Sequence, residues 1–182
     1  MSKVYVKFPK AGLGNLMLVW GRACVFAHLN NLTIVTSSWW GIRLGAWIRN
    51  EKRKRFYWRY FKESSSWERA KMLCYKLTHS IVNEPPIQVL GDTERKSNKL
   101  FLFNQVNTDN DLFGPIRGYQ KILKNDLYNM LNPLLCAKLN TYEVPVIAIH
   151  IRRGDFKVGN PITPESFYIN CINTIRLCVN LP

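Results

Sequence analysis

The sequence predicts an α/β fold built on a parallel sheet, on three observations. First, Val4-Tyr5-Val6-Lys7-Phe8, an apolar stripe over 16–30 and Thr33-Ile34-Val35-Thr36 give strand, helix and strand in quick succession. Second, the nearly continuous apolar run 144–151 reads as a strand buried on both faces and opens another strand–turn–helix unit. Third, 47% hydrophobic content over 182 residues is enough to bury a core, which excludes intrinsic disorder.

Each element has its own signal. The first strand carries the β-branched and aromatic residues of a sheet, and Ala11-Gly12-Leu13-Gly14-Asn15 follows as a glycine turn. Leu16, Val19, Trp20, Ala23, Phe26 and Ala27 then recur at helical spacing. A helix through Lys52, Arg55, Arg59 and Lys62 would gather those cations on one face, opposite Phe56, Tyr57, Tyr60 and Phe61. Glu84-Pro85-Pro86 breaks the chain, Ile87-Gln88-Val89-Leu90 and Leu100-Phe101-Leu102-Phe103 read as strands, and 104–115 reads as loop. A helix over 119–131 carries Ile122, Leu123, Leu127, Met130 and Leu131 as its stripe. After the second buried strand, Thr163-Pro164-Glu165 opens a final helix, with Thr163 as N-cap and Pro164 at its first position.

Charge is concentrated. Lys and Arg exceed Asp and Glu by 26 to 12, a net +14. Between residues 43 and 76 stand eleven basic and three acidic residues, so +8 of that charge lies in one insert, with five of the six tryptophans in or beside it. Such a stretch fits an anionic membrane surface, since tryptophan and tyrosine favour the headgroup level. It fits equally a solvated hairpin whose aromatics pack down as core, and fits nucleic acid less well. No apolar run is long enough to span a bilayer and no leader-like segment precedes the first strand, so the expected location is the cytoplasm or the cytoplasmic face of a membrane. Five scattered cysteines without CxxC spacing argue against a disulfide framework or zinc site, and they read as small core hydrophobes.

Two constellations carry chemistry. Gly12-Leu13-Gly14-Asn15 lies between strand and helix, where backbone N–H groups and the helix N-terminus suit an anion. The tetrad lacks a third glycine and a following Lys-Ser/Thr pair, and a ligand-free tight turn explains it equally. His150-Ile151-Arg152-Arg153-Gly154-Asp155 stands at the carboxyl end of the second buried strand, where α/β sheets bind ligands. Guanidinium groups there suit phosphate oxygens, with one arginine held by a carboxylate such as Asp155; a solvated loop with an internal Arg–Asp pair is the alternative.

Three stretches together resemble the alpha-1,2-fucosyltransferase family, glycosyltransferase family 11. They are Ala11-Gly12-Leu13-Gly14-Asn15-Leu16, Gly118-Tyr119-Gln120, and the complete HxRRxD signature of His150, Arg152, Arg153 and Asp155. The resemblance implies a GT-B-like architecture of two Rossmann-like domains facing across a cleft. An N-terminal acceptor-type domain would span 1–140, with the basic aromatic insert 43–76, and 141–182 would begin an incomplete donor domain. It implies transfer of fucose from GDP-fucose to a glycan hydroxyl with inversion and without a metal cofactor. Arg152 would stabilise the departing diphosphate, supported by Arg153, with His150 and Asp155 completing the catalytic set. Gly12, Gly14 and Asn15 would help hold the donor or acceptor. An arginine can stabilise the developing phosphate charge without a cation, and the nearest approach to a metal-binding DxD pair is Asp109-Asn110-Asp111 in an Asn-rich loop. Leu16 departs from the family's glutamine, and few residues follow the HxRRxD match, so weak or no turnover is expected of the chain as given. A non-catalytic membrane-peripheral module and, behind it, a nucleic-acid-binding module are the competing readings.

Overall fold

A computed structural model describes residues 1–39, 57–62, 65–106, 111–139 and 164–178. The chain divides into two compact units, Met1–Ala137 and Lys138–Pro182.

The first unit is a mixed α/β layer structure. Its order is β1 (Lys3–Val6), α1 (Leu13–Leu29), β2 (Thr33–Thr36), α2 (Ser66–Thr78), β3 (Ser80–Asn83), α3 (Asp92–Lys96), β4 (Lys99–Phe103) and α4 (Gln120–Met130), and α5 (Pro133–Leu139) begins in this unit and ends just past its last residue. Short 3-10 turns fall at Tyr57–Arg59 and Gly114–Ile116. The four strands are all parallel in the order β2-β1-β4-β3, with Val4 opposite both Ile34 and Phe101, and Val82 opposite Phe101. This is the α/β architecture with a parallel sheet that the sequence predicts.

Alternation along the strands sends side chains to two unequal faces. One face carries Val4, Val6, Phe101 and Phe103, and these pack with Val19, Trp20, Ala23, Cys24, Phe26 and Ala27 of α1 and Leu123, Leu127 and Met130 of α4. Phe26 meets Phe101 edge-on at 5.1 Å between ring centroids and Phe103 at 5.5 Å. The other face carries Tyr5 and Leu100, packed with Met72 and Tyr75 of α2. Asn30, fully buried after α1, donates through its amide nitrogen to the Phe26 and Gln88 carbonyls and accepts from the Leu90 backbone N–H. That side chain pins the 87–90 segment, which therefore reaches the core as a held loop through Leu90 and forms no strand, contrary to the expectation.

Other expectations change as well. The first strand ends at Val6; the Phe8 backbone N–H leaves the ladder and donates to the Ser37 hydroxyl at 3.0 Å. Residues 52–56 lie outside the described residues, but a helix carrying Arg59 and Lys62 on one face does not form: Phe61 makes an antiparallel bridge with Leu131, and the Lys62 N–H donates to the Met130 carbonyl. Tyr57 and Phe61 are buried, while Tyr60 is exposed. Among the described residues of this region the helix is α2, opened by a capping box in which Ser65 accepts from the Glu68 N–H and Glu68 accepts from the Ser65 N–H. Of the five cysteines Cys24 alone is a core residue; Cys74 and Cys178 are exposed, and Cys136 and Cys171 half-buried.

In the second unit the described helix is α6 (Glu165–Cys178), which follows Pro164 with Glu165 in its first turn, as the sequence predicts. Phe167, Ile169, Ile175 and Leu177 are exposed along it. Thr163 and the strand expected over 144–151 lie outside the described residues. No helix among the described residues is long and apolar enough to cross a membrane.

Candidate functional site

The Gly12-Leu13-Gly14-Asn15 tetrad sits where β1 hands over to α1, at the carboxyl edge of a central strand. The helix starts earlier than its apolar stripe suggests. Gly12 is the N-cap, in extended conformation (φ −68°, ψ 162°), and Leu13, Gly14 and Asn15 form the first turn. No side chain caps this end, so α1 presents its first backbone N–H groups without the usual Ser, Thr or Asp partner. Neither acidic residue nor left-handed backbone accounts for the sequence there. A Cβ added to Gly14 would meet nothing within 4 Å. Glycine in a helical turn costs up to about 1 kcal/mol against alanine, and neither crowding nor backbone strain demands it at Gly14.

Beneath the turn lies a second apolar cluster: Leu16, Trp39, Tyr57, Phe61 and Leu131, with Phe8, Leu13 and Met17 against it. Trp39 stacks on Phe61 at 4.0 Å with 22° between planes and meets Phe8 at 4.1 Å. Leu16 is fully buried in this cluster, so that position faces core and not a ligand. The described aromatics Trp39, Tyr57 and Phe61 likewise pack down as core, whereas Trp58, Tyr60 and Trp67 remain exposed.

A feature with no counterpart in the sequence expectations stands at the same edge of the sheet. Arg22, in the middle of α1, has a side chain only 5% exposed. Its Nε donates to Glu84 Oε1 at 2.5 Å, and its Nη2 donates to Glu84 Oε2 at 3.2 Å and to the Gln105 carbonyl at 2.7 Å. Glu84 follows β3 and Gln105 follows β4, so one guanidinium ties α1 to two strand ends. Its Nη1 is buried with no partner among the described residues. The one available signal was an arginine inside an apolar helical stripe. On the other side of α1, the Cys24 thiol donates to Asp126 Oδ2 of α4 at 2.7 Å. Burial, then the Asp126 carboxylate, push that thiol well above its ordinary pKa. It is held protonated and unreactive, so this cysteine is a packing group and not a nucleophile.

Gly118 has a φ of +89°, a conformation that favours glycine, and it turns the chain into Tyr119, the N-cap of α4. The Gly118-Tyr119-Gln120 segment is thereby a helix-entry turn. His150, Arg152, Arg153 and Asp155 all lie outside the described residues. The described geometry thus gathers Gly12, Gly14 and Asn15 in one helix turn. No protein-family model, no curated protein and no solved structure matches this chain.

Proposed function

We propose that the chain belongs to a GDP-fucose-dependent, inverting fucosyltransferase of GT-B type, similar to glycosyltransferase family 11, and that it acts on a glycan hydroxyl. The observation that carries the reading is the complete His150-x-Arg152-Arg153-x-Asp155 signature behind an apolar strand-like run. The open, uncapped first turn of α1 at a strand carboxyl edge supports it, because that is where parallel α/β sheets accept ligands. In this reading Arg152 bonds the β-phosphate and stabilises the charge that develops as GDP departs; Arg153 supports it, and Asp155 and His150 orient the pair. Gly12, Gly14 and Asn15 contribute backbone donors and an amide toward donor or acceptor. The guanidinium takes the part a metal plays elsewhere, so no metal cofactor is required.

Calorimetric titration of GDP tests this directly. A charge-assisted hydrogen bond to phosphate contributes about 1.5–3 kcal/mol, so Arg152→Ala is expected to weaken GDP binding by roughly tenfold to a hundredfold. Equal GDP affinity in the two proteins, or no heat from either at millimolar GDP, would contradict the proposal.

A further inference from the structure

The helix α2 is mounted inside out. Met72 is its one buried residue, and Met72 and Tyr75 supply its packing on the sheet. Trp67, Ala70, Leu73, Cys74 and Leu77 recur at helical spacing and form a continuous stripe on the opposite side. All five are exposed, with Trp67 at 68%, Leu73 at 63% and Leu77 at 88%. Arg69 flanks one margin of the stripe and Lys71 the other. The Lys71 ammonium stands 5.3 Å from the Trp67 ring centroid, so cation and aromatic reach the same spot. Across 57–78 there are five cations (Arg59, Lys62, Arg69, Lys71, Lys76) against two acids, Glu63 and Glu68, and the Glu68 carboxylate is engaged in the capping box.

We propose that this face of α2 docks on an anionic lipid surface. An apolar stripe bordered by cations and carrying a tryptophan matches the boundary between headgroups and acyl chains, where the ring sits at headgroup level and the cations meet lipid phosphates. Charge complementarity selects this occupant: a second copy of the chain would bring the same cations against themselves. The inference is independent of the sugar-transfer reading, since it uses no residue of the HxRRxD signature.

Sedimentation of the full chain with vesicles tests it. The chain is expected to bind vesicles containing about one-third phosphatidylserine and not pure phosphatidylcholine, with binding that falls as salt shortens the Debye length. Arg69→Gln with Lys71→Gln should weaken binding about thirtyfold, at the worth of a juxtamembrane cation each. Trp67→Ser with Leu77→Ser should weaken it at least tenfold. All four side chains are exposed, so circular dichroism and melting should stay those of the parent. The pair Lys121→Gln with Lys124→Gln removes equal charge from exposed sites on α4 and should change binding little; Arg152→Ala should leave it unchanged. Equal loss with the α4 pair, equal binding to neutral vesicles, or dimerisation or oligonucleotide binding in place of sedimentation would overturn the proposal.

Discussion

The two faces of one four-stranded sheet are built on different terms. Helix α1 buries ten of its seventeen residues, a run that includes Val19, Trp20, Ala23 and Phe26, whereas α2 buries one of thirteen. Both helices lie on the same β1 and β4 strands, so the strands do not cause the difference. It comes from the helix sequences: α1 is apolar nearly all round, and α2 turns its longest apolar side chains away from the sheet. The thick face supplies stability and fixes the edge where α1 begins. The thin face has little stability to lose and is free to carry an interaction surface.

The largest expected effect is at the thick face. Phe26→Ala removes a fully buried ring from between Phe101 and Phe103 and is expected to cost about 3–5 kcal/mol in urea unfolding. Arg22→Ala should cost a similar amount, about 3–5 kcal/mol, because it leaves Glu84 a half-sequestered carboxylate without its partner; Arg22→Met with Glu84→Gln should recover most of it. At the thin face, Ser65→Ala removes the α2 capping box and should cost about 1 kcal/mol. If that loss matched the Phe26→Ala loss, the two faces would not differ as described.

A fourth effect is pH-dependent and smaller. The Cys24 thiol has a raised folded-state pKa, so the stability it contributes is present below the ordinary thiol pKa, near 9, and is lost as pH rises above it. Thermal melts between about pH 8 and 10 should therefore show the parent losing its advantage over Cys24→Ala. A parallel pH course for the two would contradict the buried Cys24–Asp126 contact.

How much of this was legible in sequence follows the same division. β1, α1 and β2 declare themselves because each buries a face and so shows its period. α2 does not, although Trp67, Ala70, Leu73 and Leu77 recur at helical spacing, because that stripe faces away from the sheet and marks no core; the cation spacing points to a helix through 59–62, where none forms, and Ser65-x-x-Glu68 is the usable signal. β3 is a four-residue edge strand with Ile81 exposed, too short and too polar to stand out. The 87–90 segment looked like a strand, yet one buried residue, Leu90, and the distant Asn30 amide decide its course. Of the candidate site, the turn at Gly12 and Gly14 was readable as a strand-to-helix junction. The Arg22–Glu84 tie was not, since an ion pair 62 residues apart in sequence leaves no local trace.

Amide hydrogen exchange with and without GDP-fucose tests the functional claim most directly. The account predicts slowed exchange over 12–16 and in peptides containing Arg152 and Arg153, with α2 unaffected. Protection absent from both of those stretches, or confined to α2, would contradict it.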